Sequence, residues 1–258
     1  MPATDLSFFN LFKQTCLFFT DVKRLWRLCA IPAAALFALA VLTTISPASL
    51  TSSAERGTSL GFVMIGAFFL LFLAVLSIVM VQTHRLAAGA VPPAERERFF
   101  PLRMKRAEAL YLWHVVKISL LSVLFSVLLS ALILAAIQYF APQILIPLPY
   151  VAAFLLVWMP FFMVNLFAFL PAAALGETMS FKKAAGMLQG IRLPFCSLYM
   201  ITAAVFFIAA MIAGAMVSIV LPSGMFSLFV SFCFLEAGVL FSAVAQAVLM
   251  TYAYFSLK

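Results

Sequence analysis

Glu236 is the residue with the clearest chemical potential, because it stands inside an apolar run from Met225 to Met250. A helical rise of about 1.5 Å per residue places it ~16 Å below the start of that run, near the middle of a bilayer. A carboxylate there costs about 3 kcal/mol unless it is protonated, paired or turned toward a bundle interior. Its candidate partners are Asn165, Gln246 and Lys117. The site is interpreted either as a proton or substrate site or as a neutral, hydrogen-bonded packing glutamate.

The other residue types form no catalytic constellation. His84 and His114 fall at one predicted edge of the apolar runs and Ser223 at the other, separated by about 30 Å of hydrocarbon. A serine nucleophile and its histidine must lie within hydrogen-bond reach, which argues against a serine hydrolase. The four cysteines form no CxxC pair, and paired carboxylates, Walker loops and GxGxxG motifs are absent. The sequence therefore predicts no enzyme, no catalytic residue, no metal and no cofactor.

Six apolar runs must position these residues. The chain is 66% hydrophobic and 9% charged, whereas soluble domains carry about 25% charged residues. The predicted spans are 28–45, 60–81, 115–140, 150–170, 195–220 and 225–250, and Glu236 is the only acid within them. We expect an all-α integral membrane protein: a cytoplasmic amphipathic segment over 1–27 and a six-transmembrane-helix bundle over 28–258.

Amphipathic segments precede the odd-numbered spans. Phe8, Leu11 and Phe12 share one face of the first segment, and Ser180 can cap a helix whose apolar residues recur at helical spacing. These segments are predicted to be interfacial helices. Their recurrence is interpreted either as a weak internal repeat or as the ordinary spacing of basic loops in a hairpin protein.

Lysine and arginine are distributed unevenly around the spans. Of the 16 such residues, all except Arg56 fall on one side of the predicted bundle. Since cytoplasmic loops are enriched in Lys and Arg, this asymmetry predicts that both termini and the two long loops are cytoplasmic.

The net charge of +8 is interpreted as affinity for anionic lipid headgroups on the cytoplasmic side. Nucleic acid is the disfavoured partner, because no base-stacking aromatics accompany the basic residues outside the spans. A protein partner or a homo-oligomer stays open. The candidate lipid contacts are Lys13, Lys23, Arg24, Arg103, Lys105, Arg106, Lys182, Lys183 and Arg192.

One stretch carries a family resemblance. Phe169-Leu170-Pro171 through Glu177, followed by Ser180-Phe181-Lys182-Lys183-Ala184-Ala185 and on to Phe195, resembles the membrane domain of some bacterial glycerophosphodiester phosphodiesterases. It is similar also to their stand-alone relatives, the YciC-like inner-membrane proteins. The likeness extends over the chain in span order and length. It implies a multi-pass protein of a bacterial inner membrane and supplies no catalytic residue. Because these residues include no phosphodiesterase domain, we expect a stand-alone member.

These observations favour a non-enzymatic inner-membrane protein that interacts with lipid or acts as a scaffold. The alternative is a small transporter or channel that uses Glu236. A polar cavity joining Glu236 to either face would favour transport, whereas a dry and fully packed Glu236 would favour a structural role.

Overall fold

The computed structural model describes residues 8–45, 59–92, 101–140, 166–187, 192–220 and 225–257. Within these ranges all regular secondary structure is helical, as the composition predicts. The helices are α1 (Phe8–Thr20), α2 (Val22–Ile45), α3 (Ser59–Ala87), α4 (Arg106–Phe140), α5 (Phe169–Ala174), α6 (Phe181–Met187), α7 (Arg192–Val220) and α8 (Met225–Leu257).

Four helices in the described part of the chain are long and apolar enough to cross a membrane. They contain the segments Gly66–Ala87, Arg106–Phe140, Arg192–Val217 and Cys233–Leu257, which correspond to the second, third, fifth and sixth predicted spans. Helix α2 covers the first predicted span. The fourth, 150–170, lies mostly outside the described residues.

The helix bounds differ from the predicted spans. Helix α3 continues to Ala87, α4 already begins at Arg106, and α8 continues to Leu257, each about two turns beyond the predicted bound. A span that is predicted from an apolar run ends where polar residues begin. Here the polar residues stay helical because they pair with one another inside the bundle, as described below.

Helix α8 is the centre of the bundle and packs most extensively against α7. The two helices approach closely at small residues: Gly238 lies against Ala210 and the Phe206 carbonyl, and Gly214 lies against Ser231. The Ser231 hydroxyl donates to the Gly214 carbonyl oxygen at 3.1 Å. Small residues permit such approach in membrane helices, and Ala210 and Gly214, four residues apart on α7, thus serve internal packing.

One apolar core joins several helix ends. It includes residues of every helix except α2, such as Leu11 of α1, Val81 of α3, Tyr111 of α4, Phe195 of α7 and Leu249 of α8. The C-terminal turns of α3 and α8 therefore meet the N-terminal turns of α4 and α7, together with α1, α5 and α6. A second core adds the start of α2, through Leu28 and Cys29. We refer to these helix ends, together with α1, α5, α6 and the start of α2, as the basic end of the bundle.

Helix α1 has two different faces. Leu11, Thr15 and Phe18 are buried against the bundle, whereas Phe9, Phe12 and Leu17 are exposed. Helix α6 begins as predicted, with the Lys183 backbone N–H donating to the Ser180 hydroxyl at 3.3 Å. The apolar residues at helical spacing that were expected to continue this helix, Leu188 and Ile191, lie outside the described residues.

Candidate functional site

Glu108 is the one fully buried acid among the described residues. It is the third residue of α4, and the Lys105 backbone N–H donates to its Oε2 at 3.1 Å. This is half of a capping box, and it satisfies a donor that the helix start would otherwise leave unpaired. Its Oε1 accepts hydrogen bonds from Gln82 Nε2 and Arg85 Nη1, both at 3.3 Å.

Arg85 joins three helix ends. It lies in the last turn of α3, its Nη1 contacts Glu108 at the start of α4, and its Nε donates to the carbonyl of Ala174 at the end of α5 at 3.0 Å. A cation near a helix C-terminus is favoured by the helix dipole and satisfies a terminal carbonyl. The Arg85 side chain is 29% exposed and the Glu108 side chain 0%, so the guanidinium extends from the surface to a buried carboxyl.

A second polar group links α3, α4 and α8. His84 is fully buried, with Nδ1 2.6 Å from the Thr251 hydroxyl and Nε2 3.2 Å from the Tyr111 hydroxyl. The Thr251 hydroxyl donates its single hydrogen to the Ala247 carbonyl at 2.7 Å. Thr251 then accepts from His84 Nδ1–H, which leaves His84 Nε2 as an acceptor for the Tyr111 hydroxyl. That hydroxyl also lies 3.5 Å from Met80 Sδ, but a thioether sulfur is a weaker acceptor than a ring nitrogen. Hydrogen-bond donation thus runs from Tyr111 of α4 to His84 of α3, and from His84 to Thr251 of α8.

Replacing Tyr111 by phenylalanine removes the donor to buried His84 Nε2. We expect the free energy of unfolding to fall by about 1–3 kcal/mol, since a buried acceptor loses its partner. Unfolding by SDS in mixed micelles measures the change. Tyr139→Phe is the matched control, because Tyr139 is 82% exposed and its replacement should leave stability unchanged. Equal stabilities of the two variants would contradict the hydrogen-bond assignment.

The turn after α5 is fixed to α8. The backbone N–H of Glu177 donates to the Ala172 carbonyl and that of Gly176 to the Ala173 carbonyl, at 2.9 and 3.1 Å. Gly176 has φ +75°, the left-handed conformation that this helix ending requires and that glycine adopts without strain. The Tyr254 hydroxyl then donates to Glu177 Oε2 at 2.7 Å. Glu177, one of the residues that carry the resemblance, thus anchors this turn.

Glu236 lies elsewhere, on a groove of about 340 Å³ between α2 and α8. We call it the α2–α8 groove. Its remaining lining is Val22, Leu25, Trp26, Cys29, Ala30, Ala33, Leu36, Phe37, Cys233, Ala237, Leu240 and Phe241. No residue that the structure describes forms a hydrogen bond or ion pair with the Glu236 carboxyl. The carboxyl is thus neither fully packed nor joined to a polar cavity.

Two of the predicted partners of Glu236, Gln246 and Lys117, make other contacts in the structure. Gln246 lines a different groove of about 640 Å³ formed by α3, α4, α7 and α8, and its Nε2 donates to the Ser242 hydroxyl at 3.4 Å. Lys117 is exposed, and its Nζ lies 4.8 Å from the centroid of the Trp113 ring. Asn165 lies outside the described residues.

The predicted lipid contacts all belong to segments at the basic end, and all except Arg24 are exposed. Arg24 is partly covered: it pairs with Asp21 at 3.2 Å, and its guanidinium lies 6.0 Å from the Phe18 ring centroid. The described residues include no group of three His, Cys, Asp or Glu side chains placed to hold a metal ion.

The buried cluster at the basic end was not predicted from the sequence. Glu108 lies in the first turn of the long apolar helix segment Arg106–Phe140, ahead of the predicted third span, 115–140, so Glu236 stays the only acid within the predicted spans. One signal was available. Glu108 and Tyr111, like Thr251 and Tyr254, are three residues apart and so share a helix face, directly beside the apolar runs.

The chain matches no family model, no curated protein and no solved structure. The resemblance to YciC-like proteins stays a prediction.

Proposed function

We propose that this chain is a non-enzymatic, multi-pass protein of a bacterial inner membrane whose basic end binds anionic lipid headgroups on the cytoplasmic side. In this proposal six spans cross the bilayer, both termini are cytoplasmic, and the protein resembles the YciC-like group. The observation that carries it is the convergence of exposed cations at one end of the bundle. They come from α1, the start of α2, the segment before α4, α6 and the start of α7.

Packing at the basic end supports this proposal. The shared apolar core and the Arg85–Glu108 pair hold the helix ends together, so that the surrounding lysines and arginines form one surface. Each Lys or Arg near an anionic membrane surface contributes about 1 kcal/mol. Arg85 is directed into the bundle, where it holds helix ends together. Lys105 and Arg106 are exposed instead, so their charges can meet a headgroup.

Helix α1 supports a position at the membrane interface. Its exposed face carries Phe9, Phe12 and Leu17, with Lys13 on the same side. An apolar helix face flanked by lysine is typical of helices that lie in the boundary between headgroups and acyl chains. Trp26 at the start of α2 is also exposed and suits the same zone.

The proposal is tested by replacing Lys182, Lys183 and Arg192 together with glutamine. We expect the affinity for phosphatidylglycerol to fall on the order of 100-fold at low salt, because three cations of about 1 kcal/mol each are lost. Native mass spectrometry of protein from nanodiscs with equal phosphatidylglycerol and phosphatidylcholine measures the lipids retained.

A pair of single variants controls for charge alone. Lys182→Gln should weaken phosphatidylglycerol binding by about fivefold. Lys117→Gln removes the same charge from a position on α4 about 16 Å beyond Arg106 and should have little effect. Unchanged phosphatidylglycerol retention in the triple variant would refute the proposal.

A small transporter or channel is the second candidate. It is favoured by one observation: Glu236 lines an open groove rather than a packed core. In proteoliposomes, Glu236→Gln should then abolish coupled flux, and an unchanged flux would eliminate this candidate.

A further inference from the structure

We propose that the α2–α8 groove binds a lipophilic organic cation, with Glu236 as its counter-ion. This goes beyond lipid binding at the basic end and concerns a different surface. Three features carry it: one carboxyl, three aromatic side chains in the same lining, and no basic residue among the described side chains that form it.

The carboxyl selects the charge of the occupant. Within the described part of the chain no hydrogen bond or ion pair reaches the Glu236 carboxyl, and an ionised carboxylate without a partner is unfavourable in apolar surroundings. A bound cation supplies that partner. A plain acyl chain leaves the carboxylate unpaired, and an anionic group in the groove would repel it.

The aromatic residues favour the same class. Phe37 and Phe241 line the groove with Glu236, and Trp26 lines it nearer the start of α2; the faces of aromatic rings attract cations. Trp26 and Phe37 are 66% and 49% exposed, so the groove opens at the surface of the bundle. A ligand dissolved in the membrane can reach it from the side.

The size of the groove fits a small molecule. Its volume of about 340 Å³ lies within the ~300–1,000 Å³ range of ligand sites. Leu36 and Phe37 line the groove together with Glu236 and lie about 21 Å along α2 from Val22. The charged centre of the ligand would therefore lie deep in the membrane, well beyond the headgroups that the basic end would contact.

Tetraphenylphosphonium and tetraphenylborate test the proposal, because they share one shape and carry opposite charges. Equilibrium dialysis against protein in phosphatidylcholine nanodiscs, with empty nanodiscs subtracted, measures binding of each ion. We expect the wild type to bind the phosphonium at least tenfold more tightly than the borate. Glu236→Gln should lose at least tenfold in phosphonium affinity, and Glu236→Lys should reverse the preference.

A second readout locates the bound ion. Cys233 lines the groove one turn from Glu236, so in a Cys16→Ala, Cys29→Ala, Cys196→Ala background the phosphonium should slow its labelling by a membrane-permeant maleimide at least threefold. Phe37→Leu keeps the carboxyl and should reduce phosphonium affinity about fivefold.

Equal binding of the two ions by the wild type, or equal phosphonium affinity in wild type and Glu236→Gln, would overturn the proposal and leave the groove as a slot for acyl chains. Phosphatidylglycerol retention by Glu236→Gln is measured in parallel. Normal retention together with lost phosphonium binding supports a separate cation site, whatever the outcome for the lysine and arginine variants.

Discussion

Replacing Glu108 by leucine should lower the free energy of unfolding by about 3–5 kcal/mol, the range found when one partner of a buried ion pair is removed. Three donors lose their acceptor at once: the Arg85 guanidinium, the Gln82 amide and the backbone N–H of Lys105. The helix start of α4 and its contact with α3 are weakened together. SDS-induced unfolding, followed by circular dichroism in mixed micelles, measures the loss.

Glu236→Leu is the matched control, since it makes the same substitution in the other acid that lies within a membrane-crossing segment. It removes no hydrogen bond or ion pair with a described residue and replaces a polar group on an apolar groove. We therefore expect stability to be unchanged or to rise by about 1–3 kcal/mol. A comparable loss in both variants would show that Glu108 has no special structural role.

The second large effect concerns the contact between α7 and α8. A Cβ added at Gly238 would lie 2.5 Å from the Ala210 Cβ and 3.0 Å from the Phe206 carbonyl oxygen. Neither atom belongs to a flexible side chain, so the helices must separate. Gly238→Ala should lower the free energy of unfolding by about 1–3 kcal/mol, the usual cost of overpacking.

Two further variants make this prediction specific. Ala210→Gly in the Gly238→Ala background removes the closer of the two clashes and should restore about half of the lost stability. Gly66→Ala adds a methyl group where nothing lies within 4 Å and should change stability by less than about 0.5 kcal/mol. If Gly238→Ala behaves like Gly66→Ala in the same unfolding assay, the close approach of the helices is wrong.

Apolar run length sufficed to predict the helical class and most membrane-crossing segments, because burial in lipid demands long apolar helices whatever their partners. It could not predict where those helices end. The sequence alone predicts loop positions for His84 and Glu108, since a polar residue at the edge of an apolar run usually meets water. Their pairing depends on Thr251 and Arg85, and only the packed bundle shows which helix ends meet.

The predicted polar site shows that residue type alone does not predict which side chains meet. Glu236 was rightly singled out as an acid within a membrane-crossing segment, but its predicted partners were chosen by residue type. Gln246 is ten residues further along α8, which is about 15 Å along the axis and roughly 80° around it. Helix geometry alone therefore separates the two side chains, and the structure places them on different grooves.

The Thr251 and Tyr254 contacts set an order of assembly. Helix α8 follows every other described helix along the chain, so it is synthesised after α3, α4 and α5. Until then His84 has no Thr251 to receive its Nδ1–H, and Glu177 lacks the Tyr254 hydroxyl. The earlier helices can insert into the bilayer one by one, but the basic end closes only when α8 arrives. Closure of the basic end is thus coupled to the synthesis of α8, the last of the described helices.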